Sequence, residues 1–525
     1  MLLLLMTVVI FRIYQINMSP HAAAAAGQQG LYKLNVASAR GVIYDRNMQA
    51  IVNRQERYVA SVMPTPQTME ALLSRTDESK RESLLMRFRE GLPFVLEVES
   101  KDYYTKGIDV FRVPQRYGAL QLAPHLIGYL AANGTEGAAG IERACNDILN
   151  SNASRIETHY KLDALGHIME GDAIRVQRQG EDIPRGGVVL TLDKNVQIIT
   201  QNALEAGCER GAAVVLDVYT GDIVAMASLP VYDQQNLAAS LERDDAPFIN
   251  RATSGFNIGS VFKVLISAAA LESGYSAAHR YTCEGYVNIS GQIFNCNNHA
   301  VHGDIDMSRA LQVSCNTYFI DLGMKLTPRS TLVFVSNLGL GRSNILAPGM
   351  ETQQGNLPDA GEFINPAAAA NFSFGQGSSL ASPLQMACAV ASIANGGIAV
   401  TPRLIMGQTF DGHTIANPEA IYTANRAFSE KTAKTMQSLM IDVIEKGSGR
   451  MAKPIRGGAG GKTSSAQTGR IIDGEEEVHA WFAGFYPAEK PRYSIVVFIE
   501  GGISGENVAG PVFKKIADGI GAISR

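Results

Sequence analysis

Tryptophan occurs once in this 525-residue chain and cysteine six times. So few cysteines exclude a disulfide-built scaffold. Positive charge is not in excess either: 46 lysines and arginines stand against 50 acidic residues, a formal charge of −4. A nucleic-acid partner normally leaves a basic patch, so none is expected. Long apolar runs are scarce, and this excludes a polytopic membrane protein. No repeat of roughly 20–50 residues is visible. What remains is an ordinary globular balance, 46% hydrophobic and 18% charged. At about 150 residues per domain the length suggests about three domains.

The most pronounced apolar run covers residues 1–11, is interrupted by Arg12, and continues with Ile13, Tyr14 and Ile16. It is shorter than the roughly 20 residues of a spanning helix. It lacks the basic start of a secretory signal, although the alanines at 22–26 resemble a cleavage region. We read residues 1–16 as the outer part of a membrane anchor with its start clipped or misassigned. A buried core helix is the alternative. An anchor places the rest of the chain outside the cytoplasm, on a single-pass protein of the cell membrane.

Residues 17–185 read as a composite module. A strand is expected at 59–63 and a charged amphipathic helix over 68–90, with Leu72, Leu73, Leu84, Leu85 and Phe88 at near-helical spacing. Further helices are expected at 122–132 and 141–149, and residues 183–187 read as a boundary loop. From residue 186 to 525 the texture differs. Strands at 188–192, 212–217 and 222–227, the last two joined by a short turn, precede a helix-rich stretch. Strands at 481–485 and 493–499 and a helix at 512–520 close the chain. The fold class is α+β, an antiparallel sheet with helices grouped around it.

Three clusters carry chemistry. In Gly259-Ser260-Val261-Phe262-Lys263, followed by an apolar helix-compatible run, Ser260 and Lys263 fall on one helix face, a turn apart. A serine hydroxyl needs a neighbouring base, and a desolvated lysine can serve as one. In Ser314-Cys315-Asn316, after a helix expected at 307–313, Ser314 can relay a proton and Asn316 can hold a carbonyl or orient Lys263. In Gly460-Gly461-Lys462-Thr463-Ser464-Ser465, small residues let a strand edge approach a substrate backbone, with Lys462 and Thr463 offered to a carboxylate. Each cluster alone is weak; their order and placement give them weight.

Together the clusters resemble the motifs of penicillin-recognising serine acyltransferases, which include Ser-x-x-Lys and Lys-Thr-Gly. The run from Arg40 to Asn47, the segments His125-Leu126-Ile127-Gly128 and Gly140-Ile141-Glu142, and Phe374-Gly375-Gln376-Gly377 resemble stretches of class B penicillin-binding proteins. The resemblance extends over residues 1–520. It implies a transpeptidase fold carrying a pedestal, and a peptidoglycan D,D-transpeptidase. Catalysis would rest on Ser260, Lys263, Ser314, Asn316 and Lys462. Substrate would be held by Thr463, Ser464 and Ser465, and the N–H groups of Ser260 and Ser465 would form the oxyanion hole. The implied partners are peptidoglycan stem peptides on lipid-linked precursor products, β-lactams, and a polytopic glycan polymerase. No cofactor is implied, and no metal is assigned to the catalytic site. No glycosyltransferase motif is found in residues 17–185.

This chain departs from the family where Ser464 replaces the usual glycine, which could narrow the cleft. It departs again in Phe256-Asn257-Ile258-Gly259, where a proline is commoner, and in Gln234-Gln235. Cys283, Cys296 and His302 could be ligands of a structural zinc, with His299 and Cys315 nearby. Equally, Cys283 and Cys296 could pair as a disulfide or remain thiols. Cys145, Cys208 and Cys388 read as small core residues, His479 as a packing residue, and Asp45-Arg46 as a structural turn. Two other classes compete with the transpeptidase: a hydrolase (a D,D-carboxypeptidase or serine β-lactamase), and a non-catalytic scaffold or sensor of the same fold.

Overall fold

The structure is a computed structural model and describes residues 2–18, 31–163, 168–169, 175–180, 184–419, 425–472 and 474–523. The alanines at 22–26 and Ile183 of the expected boundary loop lie outside these residues.

Strands β1 (Gly211–Asp217) and β2 (Ile223–Leu229) form the expected hairpin and are buried along their whole length. Strands β3 (Gly460–Ile472), β4 (Glu475–Tyr486) and β5 (Tyr493–Ile499) complete an antiparallel sheet of order β2-β1-β5-β4-β3. Successive side chains leave opposite faces. Ala213, Val215 and Val497 pack on one side with α1 (Lys194–Glu205) and the closing helix α7 (Gly510–Ile523). Val214, Leu216 and Phe498 pack on the other, in the core that holds α2 (Lys263–Glu272), α5 (Pro383–Ala394) and α6 (Glu430–Lys446). Cover on both faces explains why β1 and β2 read as continuous apolar runs rather than an alternation. Helices α3 (Met307–Gln312) and α4 (Asn316–Lys325) carry the second motif at their junction.

The N-terminal half holds two three-stranded sheets. One orders Phe94–Val98, Gln55–Val62 and Ile108–Gln115, and the other Leu31–Ala39, Ser154–Lys161 and Arg175–Gln179. The single helix expected over 68–90 is two, Pro66–Leu73 and Glu78–Arg89. A capping box between Thr65 and Thr68, with Pro66 at the first position, fixes where the first begins. The helix expected at 122–132 is a single turn, Pro124–Ile127. It stops at Gly128, whose φ is +82° and whose Cβ would lie 1.9 Å from the Ala139 carbonyl oxygen, so backbone meets backbone there. The helix expected at 141–149 is divided into Gly140–Ala144 and Asn146–Ser151.

Helix Leu2–Met18 has 17 residues, and its Met6, Val8, Val9, Ile10, Phe11 and Tyr14 side chains are exposed. Among the described residues, no helix is long and apolar enough to cross a membrane.

The two halves share a sheet. Val42–Tyr44 runs parallel to Gly187–Leu190, which pairs antiparallel with Ile405–Thr409. The Asp45 carboxylate accepts from the N–H groups of Gln49 (2.7 Å), Asn47 (2.9 Å) and Lys194 (3.0 Å), the last at the start of α1. Arg46 pairs with Asp222 at 3.3 Å. Both residues are thus occupied in holding a turn.

Candidate active site

Ser260 sits in a tight turn, Gly259–Phe262, that leads directly into α2. Helix α2 begins at Lys263, whose N–H donates to the Ser260 carbonyl. Three hydrogen bonds, one from backbone and two from side chains, hold the turn in place. The Gly259 N–H donates to the Gly375 carbonyl at 2.9 Å, Trp481 Nε1 donates to the Asn257 carbonyl at 2.9 Å, and Ser464 Oγ donates to the Ile258 carbonyl at 3.1 Å. Gly259 has a φ of +63°, and a Cβ there would meet Ser464 Oγ at 2.3 Å and the Ala466 Cβ at 2.8 Å. Only glycine lets β3 approach this closely.

The amine of Lys263 is fully buried. It donates to Asn316 Oδ1 at 2.7 Å, to the Ser314 carbonyl at 2.9 Å and to Ser314 Oγ at 3.2 Å. Ser314 adopts a φ of +54°, a left-handed conformation rare for a residue with a side chain. That conformation turns both its carbonyl and its hydroxyl toward one amine. The Asn316 amide is held at its other end, where Nδ2 donates to the Asn295 carbonyl at 3.2 Å. Burial lowers the Lys263 amine to about 7. Lys462, also fully buried, donates to the Thr463 carbonyl at 2.9 Å. Burial first, and then the charge of Lys263, hold its pKa well below the ordinary lysine range. Thr463 Oγ1 lies 2.9 Å from Ser448 Oγ.

Ser260, Asn316 and Ser465 open onto one cleft of about 790 Å³. The structure therefore joins Lys263, Ser314 and Asn316 in one hydrogen-bonded group, with Ser260 and Ser465 facing each other's cleft and Lys462 electrostatically within reach. It does not bring the Ser464 hydroxyl to that cleft. This side chain is buried under the Ser260 turn, and the expected narrowing of the cleft by Ser464 is corrected accordingly. Ser448 and Asn295 escaped sequence reasoning. The only local signal for Ser448 is its flanking Gly447 and Gly449; Gly447 packs on Gln312, where a Cβ would lie 2.7 Å from Cα.

Beside the cleft, the donor atoms of Cys283, Cys296, His302 and Cys315 all lie within 4.8 Å of one another. His302 Nδ1 is 3.5 Å from both Cys283 Sγ and Cys296 Sγ, and Cys296 Sγ is 3.6 Å from Cys315 Sγ. All six cysteines are free thiols, so the disulfide reading for Cys283 and Cys296 does not hold. Cys315, expected only nearby, is the fourth member. Zinc with Zn–S bonds of about 2.3 Å in a tetrahedron would hold its ligands roughly 3.7 Å apart, and Cys₃His is a structural zinc set. The cluster fits that ion. Of the remaining cysteines, Cys145 and Cys388 are buried and Cys208 half-buried. His479 is buried on β4 against the rings of Phe256 and Phe498, a packing position.

The family model described as penicillin binding protein transpeptidase domain matches residues 211–518. A peptidoglycan D,D-transpeptidase, PbpA, of Mycolicibacterium smegmatis is 29% identical over 394 residues, covering 69% of this chain and 74% of the relative. Stage V sporulation protein D of Bacillus subtilis is 27% identical over 515 residues, covering 91% and 77%. Among solved structures, one reported for the coordination of polymerization and crosslinking by a peptidoglycan synthase complex superposes with a TM-score of 0.71 at 24% identity, over 99% of this chain and 97% of that one. That likeness bears on the fold.

Proposed function

The chain belongs to the penicillin-binding protein transpeptidase family, as a class B member and a peptidoglycan D,D-transpeptidase, and we propose the following division of labour among its residues. Lys263, as the neutral amine, takes the proton of Ser260 Oγ. The freed oxygen attacks the carbonyl carbon of the penultimate D-alanine in a donor stem peptide. The N–H groups of Ser260 and Ser465 stabilise the oxyanion. The peptide C–N bond breaks, and Ser314 passes the proton from Lys263 to the leaving terminal D-alanine. An amine of a second stem then attacks the serine ester, forming the cross-link and returning the proton to Ser260. Lys462 and Thr463 hold the donor's terminal carboxylate, or that of a β-lactam. Ser464 acts beneath the site rather than in it.

The observation that carries this reading is the Lys263 amine, buried and neutralisable, held 2.7 Å from Asn316 and 3.2 Å from Ser314 one turn after Ser260. Mass spectrometry of the intact protein and its peptides after reaction with a fluorescent penicillin tests it. A stable adduct on Ser260 is expected. Rapid turnover of the adduct would favour the hydrolase, and no adduct would favour the scaffold.

Residues 17–185 form the pedestal and 186–525 the transpeptidase domain in this reading, consistent with the family match inside the latter. Residues 1–16 act as the outer part of a single membrane anchor, with the catalytic half outside the cytoplasm; the exposed apolar side chains of the first helix favour this. A glycan polymerase of the membrane works beside it. Cys283, Cys296, His302 and Cys315 hold zinc, which when bound ties the segments carrying Asn295 and Asn316 together.

A further inference from the structure

The hydrogen-bond partners of the buried Lys263 amine are all neutral: Asn316 Oδ1 at 2.7 Å, the Ser314 carbonyl at 2.9 Å and Ser314 Oγ at 3.2 Å. The ionisable groups that face it are the thiols of Cys315 and Cys296 and, from β3, the amine of Lys462. The carboxylate of Glu506 bears on Lys462, not on Lys263. Yet acylation makes this amine an ammonium when it takes the Ser260 proton. A buried cation beside a like charge, with only neutral acceptors, is costly. One further group meets it. The Phe319 ring, itself fully buried, lies under Nζ with its centroid 5.6 Å away. Phe319 follows Asn316 by three residues on α4, so one face of that helix presents both the amide and the ring. Tyr318 packs against Phe319 with centroids 5.3 Å apart and planes at 68°, which fixes the tilt of the ring.

Resting on the reading of Lys263 as the base, we propose that Phe319 is a positioning residue for acylation: its ring face holds the Lys263 amine against Asn316 and stabilises the ammonium that forms when Ser260 gives up its proton. The negative face of an aromatic ring attracts a cation within about 6 Å, most strongly where water is excluded. The neutral amine gains little from the ring, so the stabilisation falls on the charged form and on the transition state that leads to it. The proton moves from Ser260 Oγ to Lys263 Nζ as the serine oxygen bonds the carbonyl carbon. Asn316 and the ring then hold the ammonium until Ser314 passes the proton on.

The test replaces Phe319 in the full chain with mono-, di- and trifluorinated phenylalanine, which withdraw electron density from the ring face at nearly constant size. Phe319→Leu removes the ring and keeps an apolar side chain. Acylation by a fluorescent penicillin is timed across the pH range, and thermal unfolding follows the fold. The midpoint of the pH profile should fall stepwise with the number of fluorines, by about 0.5–1 unit at the end of the series. The plateau above the midpoint should fall roughly threefold while the rate on the acid side holds or rises, because a weaker base is both less reactive and less often protonated. Phe319→Leu should move both in the same direction. A packing role alone lowers the rate equally at every pH. An even loss of that kind, or a midpoint that does not respond to the fluorines, overturns the proposal and leaves Lys263 standing as the base. A wild-type profile with no midpoint removes both.

Discussion

The hydroxyl of Ser464 donates to the backbone carbonyl of Ile258, 3.1 Å away, and so ties strand β3 to the residue just ahead of the Gly259-Ser260 turn. A residue that looks like an obstruction beside the substrate is instead part of the floor. Ser464→Gly removes one buried hydrogen bond and loosens a strand, a loss of about 1–2 kcal/mol. Thermal unfolding should fall by a few degrees, with the rate of penicillin acylation little changed. A large gain in acylation rate would mean that Ser464 faces the cleft after all.

Gly259 has the opposite sensitivity. Gly259→Ala places a methyl group 2.3 Å from Ser464 Oγ at a φ of +63°, so either the turn or the strand must move. Acylation should drop on the order of a hundredfold or more, since misplacement by about 1 Å is enough for that. Stopped-flow labelling with a fluorescent penicillin measures it, and circular dichroism checks that the variant folds.

Acylation should follow the neutral form of Lys263. Burial lowers this amine to about 7. Below that pH it carries a proton and cannot accept another from Ser260, so the rate should fall about tenfold per pH unit, and above it the rate should level off. Lys263→Arg keeps a permanent charge and should lose on the order of 10³-fold or more. A rate independent of pH between 5 and 8 would exclude Lys263 as the base.

Asn316→Asp puts a carboxylate where Oδ1 now lies 2.7 Å from the same amine. An opposite charge at that distance favours the ammonium, and raises its pKa by about 1–3 units. The variant should be slow at neutral pH and recover as pH rises, with its midpoint displaced upward by that amount. A simple structural defect would lower the rate equally at every pH.

For the cysteine cluster, elemental analysis should find about one zinc per chain, and Cys283→Ser should lose it. Chelation should lower the unfolding temperature in the wild type and not in that variant. Metal content below a tenth of the chain concentration, after purification in zinc-supplemented medium, would leave the four residues as thiols and imidazole only.

Much of this was legible in the residues themselves. Apolar runs bounded by a short turn located β1 and β2, and continuous burial on both faces kept their signal strong. The spacing of Ser260 and Lys263 implied a shared face because local helix geometry alone decides it. Three features were not legible. Ser464 stands on β3 between a buried Thr463 and an exposed Ser465, and which face it takes depends on a register that only pairing with β4 sets. Cys315 lies 19 residues from Cys296 in sequence, and its approach depends on the left-handed bend at Ser314. The long helix expected over 68–90 breaks in two where Ser74 Oγ donates to the Ala71 carbonyl and Thr76 Oγ1 to the Leu72 carbonyl, across a weak apolar stripe of which only Leu72 and Leu84 are well buried.

The strand Val42–Tyr44 lies alongside Gly187–Leu190 and, through it, Ile405–Thr409. An excised catalytic half beginning after this boundary would expose the flank of Gly187–Leu190 as an unpaired ladder, a template for self-association. Recombinant fragments for biochemistry should therefore retain residues 42–44 as a stitched-on border. By the same token, torque applied to the first half travels into the second through hydrogen-bonded backbone rather than a slack tether.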